Sequence, residues 1–241
     1  MAVVEGFVTS EQEVAPRRED GDTAEVRTTI DASAGCPHLE QRVLRFAPGR
    51  SRERRNAGRQ EVLYVVSGRG TLHLEGSAHE LEPDMGVFIV PGETYSVENR
   101  GPGELHLVSV TAPESALGVG PNRRVTVRYA DRDPLPATAS REFRYLVNED
   151  AGCLDVTQFV GVIPPSKAPR HTHDYDEVVY VIEGEGVLHL GETETPMGAG
   201  TCIHLPPRTL HTLENSGSGN MRVLGVFHPS GDPSRAYIDN K

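Results

Sequence analysis

What the chain lacks narrows its nature first. No apolar run in its 241 residues approaches the ~20 residues that a membrane-spanning helix needs. The opening MAVVEGFVTSEQEVAP has neither a basic stretch nor a sustained apolar one, so no signal peptide is expected. Cysteines are few: Cys36, Cys153 and Cys202 make an odd count with no CxxC pair. That argues against a disulfide framework or a structural zinc site. A basic stripe is missing as well, and the formal net charge of -11 disfavours nucleic acid, whose phosphates need one. The local run RRNAGR (Arg54 to Arg59) reads as a solvated loop. Together these absences predict a cytoplasmic protein with no nucleic-acid or membrane partner.

What is present is a duplication. AGCPHLEQRV (Ala34 to Val43) returns as AGCLDVTQFV (Ala151 to Val160), 117 residues later. EVLYVVSGRGTLHL (Glu61 to Leu74) returns as EVVYVIEGEGVLHL (Glu177 to Leu190), 116 residues later. VEN at Val97 answers LEN at Leu213, and Glu25 and Arg27 match Glu142 and Arg144. One residue of slip falls in the loop before Glu61. Each copy has the size of a small domain, and the Gly/Pro-rich ALGVGPNRR predicts a division into residues 1–118 and 119–241.

Each copy reads as β. Short Val-, Leu- and Ile-rich runs are punctuated by Gly, Pro, Asn and Asp, and no window sustains a helical period beyond two turns. The expected class is all-β, two tandem jelly-roll barrels. A strand from Glu177 to Ile182 puts Glu177, Val179 and Val181 on one face and Val178, Tyr180 and Ile182 on the other. Both faces are apolar, and Val62, Tyr64 and Val66 repeat the pattern. Such a second face needs a lid: the other copy, or the partner in a homodimer, which is the expected assembly.

The chemistry lies in HTHDYDE, His171 to Glu177. Residues i and i+2 of a strand project to one side, so His171 and His173 can reach one ion, with Glu177 opening the next strand. His171, His173, Glu177 and Gly184, followed by Gly200, Pro206, His211 and Asn215, resemble the two metal motifs of the cupin superfamily. Arg208 stands where many cupins have glycine, a departure that touches a turn and no ligand. The duplication makes the chain similar to a bicupin. The resemblance implies one divalent transition metal per chain (Fe, Mn, Ni, Cu or Zn) on His171, His173, Glu177 and His211. In the first copy the matching positions, counted from Glu61 and Asn99, are Arg55, Ala57 and Tyr95. That copy is expected to be metal-free, its Glu61 paired with an arginine such as Arg55.

The copies also serve as controls on each other. His189 matches His73 and reads as structural. His204 matches Phe88, and Tyr175 matches Arg59. His204 and Tyr175 are therefore the candidate catalytic side chains, His204 as a proton carrier beside the ion. Cys202, which matches Gly86, reads as a small buried hydrophobe. Arg170 and Arg208 flank ligand segments and can attract an anion. The resemblance implies a metal-dependent enzyme acting on a small, oxygen-bearing, anionic molecule, most often by dioxygenation. The alternatives are a redox-neutral isomerase, decarboxylase or ureidoglycine aminohydrolase-like enzyme, the last similar in architecture only, and a non-catalytic cupin that binds a small molecule or metal.

Overall fold

The structure is a computed structural model and describes residues 6–138 and 140–235. Its strands form four antiparallel sheets, two for each copy. In the first copy a six-stranded sheet, with Arg59–Ser67 and Leu105–Pro113 at its centre, faces a five-stranded sheet that contains Gly70–Leu74 and Thr94–Asn99. In the second copy, Asp176–Glu183, Met221–His228 and Thr157–Ile163 lie at the centre of a seven-stranded sheet, which faces a four-stranded sheet containing Glu185–Leu190 and His211–Asn215. These are the two jelly-roll barrels. No helix among the described residues is long and apolar enough to cross a membrane.

Each barrel closes over its own core. Leu63, Val65, Leu72, Val87 and Leu107 fill the first; Val179, Val181, Leu188, Ile203 and Met221 fill the second. Strand alternation then delivers the opposite faces to a third apolar layer, shared between the barrels. Val62, Tyr64 and Val108 meet Val178, Tyr180 and Val226 there. Tyr64 and Tyr180 are all but fully buried, and burying an apolar side chain of this size contributes about 1.5–3 kcal/mol. The second apolar face is thus covered inside one chain. The expected homodimer loses the ground on which it rested.

The copies are also laced together at their edges. Phe7–Ser10 pairs with Thr201–His204 of the second barrel, and Thr126–Arg128 pairs with Met85–Val87 of the first. A cut at 118/119 therefore does not separate the sheets, because each copy carries an edge strand drawn from the other side of it. Edge strands expose unpaired backbone groups, and this exchange covers one edge on each of the two large sheets.

Candidate metal centre

His171 and His211 face each other across a backbone bridge. The His171 amide donates to the His211 carbonyl at 2.9 Å, and the return bond is 3.0 Å. His173, two residues on, turns its ring to the same side, as the strand period predicts. Each of the three imidazoles offers a nitrogen within 4.8 Å of the other two. Glu177 is the second residue of Asp176–Glu183, and its carboxylate oxygen lies 3.4 Å from His173 Nδ1. The three predicted histidine ligands are therefore gathered at one place, and Glu177 borders the group through His173 and lines the same cavity. Nδ1 of His211 is 2.8 Å from the Thr209 carbonyl, and Nδ1 of His171 is 3.3 Å from that of Pro169. A proton held on each Nδ1 by these carbonyls leaves Nε2 free to ligate.

The electrostatics fit a cation. Burial pushes the Glu177 carboxyl up to about 8. Burial, then the nearby His211 and His171, hold His173 down to about 2, and burial with His171 takes His211 to about 4. The His173–Glu177 contact is thus a neutral imidazole against a buried carboxyl and not an ion pair. A divalent ion bound by this group would favour the ionised carboxylate and the neutral rings together, and three imidazoles with one carboxylate suit the middle and late first-row divalent metals.

The ligands open onto a cavity of about 140 Å³. Phe143, Phe159, Phe227, Leu205 and Val223 line it, and among the described residues Arg141 is its one cationic side chain. Arg141 donates to the Leu213 carbonyl at 2.7 Å and to that of Ser166 at 3.4 Å. Its charge is among the influences that lower His171. Arg141 and the phenylalanine wall had no part in the sequence reading. Their signal was available in the duplication: Arg141 matches Ala24, Phe159 matches Arg42 and Phe227 matches Thr111.

Four expectations need correction. His204 does not face the cavity. It pairs in register with Val178, whereas Glu177 pairs with Leu205. Alternation therefore sends His204 to the layer between the barrels, where it is fully buried against Asp176 at 3.0 Å. Tyr175 is stacked between His173 (ring centroids 4.6 Å) and Phe227 (4.1 Å). Its hydroxyl points to the Asp232 carbonyl at 3.4 Å, and its ring backs His173 from outside the lining of that cavity. Neither Arg170 nor Arg208 lines the cavity; Arg170 bonds the Gly191 carbonyl, and Arg208 pairs with Asp174 at the surface. Finally, Glu61 is not paired with Arg55. Asn56, Tyr95 and Ser109 donate to it instead.

That last correction re-registers the copies. Tyr95 pairs with Arg54 as His211 bridges His171. The true counterparts of His171 and His173 are Arg54 and Asn56, and the one-residue slip falls after them. By contrast, His73–Glu98 at 2.9 Å and His189–Glu214 at 2.7 Å repeat the same contact in both barrels, in keeping with a structural role.

Comparison with known proteins agrees with this architecture. Two solved structures superpose over nearly the whole chain: a putative glyoxylate-induced protein from Pseudomonas aeruginosa and oxalate decarboxylase of Bacillus subtilis. The first gives a TM-score of 0.78 at 20% identity, covering 91% of this chain and 87% of the other. The second gives 0.77 at 13%, covering 94% and 78%. At such identities the likeness concerns fold. Among curated relatives, auxin-binding protein 1 of Arabidopsis thaliana is 33% identical over 84 residues, 31% of this chain and 41% of that protein. The tetracenomycin polyketide synthase protein TcmJ of Streptomyces glaucescens is 29% identical over 135 residues, 53% of this chain and 80% of that one. The oxalate-binding protein of Thermotoga maritima is 31% identical over 65 residues, 27% and 54%. The match spans under half of the Arabidopsis protein and about half of the Thermotoga one. The cupin domain model matches residues 42–111 and again 159–227. With one match on each barrel, the chain belongs to the cupin family and is a bicupin.

Proposed function

We propose that this bicupin is a metal-dependent enzyme whose second barrel acts on a small, oxygen-bearing anion by dioxygenase-type chemistry. One observation carries the reading: His171, His173, Glu177 and His211 converge on a small aromatic-walled cavity with Arg141 at its side. An ion held by these four ligands supplies positions for a substrate oxygen and for dioxygen. The cavity limits the substrate, since about 140 Å³ is close to the roughly 150 Å³ in which an engineered protein cavity holds benzene. Arg141 gives an anionic group its partner, and a guanidinium suits a carboxylate or enolate. The phenyl rings lower the polarity around the site, which strengthens that attraction.

The lining also favours oxygenation over proton-shuttling reactions. Among the described residues, it contains no histidine beyond the three ligands and no tyrosine or lysine. Isomerases and hydrolases need a positioned acid or base; with His204 on the far face, the carboxylate left for that role beside Glu177 among the described lining residues is Glu142, which is exposed to solvent. The relatives named for oxalate support a small dicarboxylate as the runner-up substrate class, with decarboxylation as its reaction.

The test is elemental analysis of the purified protein, then oxygen uptake with small enols, catechols and keto acids, and carbon dioxide release from oxalate. We expect uptake that is lost in His171→Ala/His173→Ala and a KM raised at least tenfold in Arg141→Ala. Carbon dioxide release without oxygen uptake would move the assignment to the redox-neutral class. A metal content in the double variant equal to that of wild type would remove the centre itself.

A further inference from the structure

The layer between the barrels holds a second group of metal-ligating side chains. Cys36 comes from the first copy, just after the turn Ala32–Ala34; Asp176 opens Asp176–Glu183; His204 lies on Thr201–Leu205. One ligand atom of each lies within 4.8 Å of the other two. Cys36 is 1% exposed, Asp176 5% and His204 0%. The surrounding layer is apolar, with Leu39, Val178 and Val226 in it. His204 Nε2 meets Asp176 Oδ1 at 3.0 Å, while His204 Nδ1, also buried, has no hydrogen-bond partner. Among the described residues, a carboxylate whose one ion-pair partner is His204 itself and an imidazole nitrogen with no hydrogen-bond partner are both costly in such a layer. A cation held by the carboxylate and by His204 Nδ1 would remove both costs.

The duplication again supplies a control. Cys36 matches Cys153, Asp176 matches Gln60 and His204 matches Phe88. On that side of the layer the Cys153 thiol donates to Gln60 Oε1 at 3.4 Å. The fold is therefore content with thiol, amide and phenyl in these places. On one side only, the amide and phenyl are replaced by carboxylate and imidazole, which completes a ligand set.

We propose that Cys36, Asp176 and His204 bind a second divalent ion, of the zinc class, that ties the two barrels together. Thiolate, imidazole and carboxylate are zinc ligands, with a fourth position left for another donor. Binding forms bonds from the metal to sulfur, nitrogen and oxygen, and it sends the Cys36 thiol proton to solvent with no change of oxidation state. The cysteine spacing argued against structural zinc because it weighs ligands close in sequence. Here Asp176 and His204 stand 140 and 168 residues beyond Cys36. The site is separate from the cavity: Asp176 and Glu177 are consecutive and face opposite sides of one strand.

Cobalt(II) distinguishes the two sites, because thiolate coordination gives a sulfur-to-cobalt charge-transfer absorption that a set of histidines and a glutamate cannot produce. The full chain is produced in zinc-depleted, cobalt-supplemented medium, so that the buried site loads as the chain folds. We expect two equivalents of cobalt and the charge-transfer band. The band persists in His171→Ala/His173→Ala and disappears in Cys36→Ser and in His204→Phe, each of which keeps one equivalent. His204→Phe carries the residue that the matching position already accepts, so it decides alone if Cys36→Ser folds poorly. Cobalt-loaded wild type without the band, or a band unchanged in His204→Phe, overturns the proposal.

Discussion

Glu61 and Glu177 occupy one position in two copies of one barrel, and their surroundings have diverged in opposite directions. Asn56, Tyr95 and Ser109 close three donors around Glu61. Around Glu177 the matching places hold His173, His211 and Gly225. The last exchange opens the cavity: a Cβ at Gly225 would lie 2.2 Å from the Phe159 ring. Where Ser109 reaches in to satisfy a carboxylate, glycine lets a phenyl wall approach. A buried carboxylate must be satisfied by donors or by a cation; the first copy shows the donor solution, and the second carries the residues for the proposed cation.

The strongest way to break this comparison is to convert one solution into the other. Arg54→His/Asn56→His/Tyr95→His places three imidazoles around Glu61 at the re-registered positions. We expect this variant to bind one more equivalent of divalent metal than wild type, measured by elemental analysis after dialysis. The same graft built on Arg55 and Ala57 should gain none, because those residues are out of phase with the bridge. Equal uptake by both grafts would show that the bridge register does not decide ligand position.

The second test uses pH on metal-free protein. Burial raises Glu177 from the ordinary 4.5 to about 8 in the folded chain. Between those values the folded state holds a proton that the unfolded state has lost. The stability from the buried neutral carboxyl is therefore complete below about 4.5 and is lost as pH rises through 8. The histidines act the other way: His173 and His211 are lowered, to about 2 and about 4, so they weaken the fold as pH falls below their unfolded value. Chelated wild type should lose Tm from pH 6.5 to 8.5, and Glu177→Gln should flatten that limb alone. A limb unchanged in the variant would place its origin elsewhere.

A smaller effect is expected at Tyr95, which donates to Glu61 at 3.0 Å. Tyr95→Phe deletes the donor and leaves the ring in the core of the first barrel, at a cost of about 1 kcal/mol. Metal content and turnover, which belong to the second barrel, should not change. Urea denaturation reads the first and elemental analysis the second. A turnover defect would mean that the metal-free barrel acts on the distant cavity.

Much of this was legible in the sequence because strand period and motif spacing are local properties. His171, His173, Glu177 and His211 came out together, as did the repeat and both apolar faces. Two kinds of error remained, and both have physical causes. His204 was placed one strand face away from its true side, because nothing in a short β run announces which alternate set points inward when both are apolar. Counting back from Glu61 lands on Arg55 and Ala57 because the loop before it hides a one-residue slip, and only backbone pairing reveals where it falls. Arg141 and the phenylalanine wall were missed for a third reason: they converge from strands far apart in the chain.

The departure at Arg208 gives the smallest effect and a clean sign. Its backbone sits at φ 64°, in the left-handed region, and its amide donates to the His173 carbonyl at 2.6 Å. The turn has kept the conformation that glycine adopts freely, although the side chain has changed. A left-handed residue with a Cβ is strained by roughly 1–2 kcal/mol, while glycine costs roughly 0.5–1 kcal/mol more than alanine in chain entropy on folding. The Arg208 side chain is 83% exposed in its pair with Asp174, so losing that contact removes little. Arg208→Gly should then raise stability by at most about 1.5 kcal/mol, the difference of the two terms. Because the amide that holds the His173 carbonyl remains, metal content should stay at the wild-type level. Thermal unfolding with metal bound, read beside elemental analysis, tests both halves. A lower Tm would show that the guanidinium contributes more than its exposure suggests, and lost metal would make this turn part of the ligand frame.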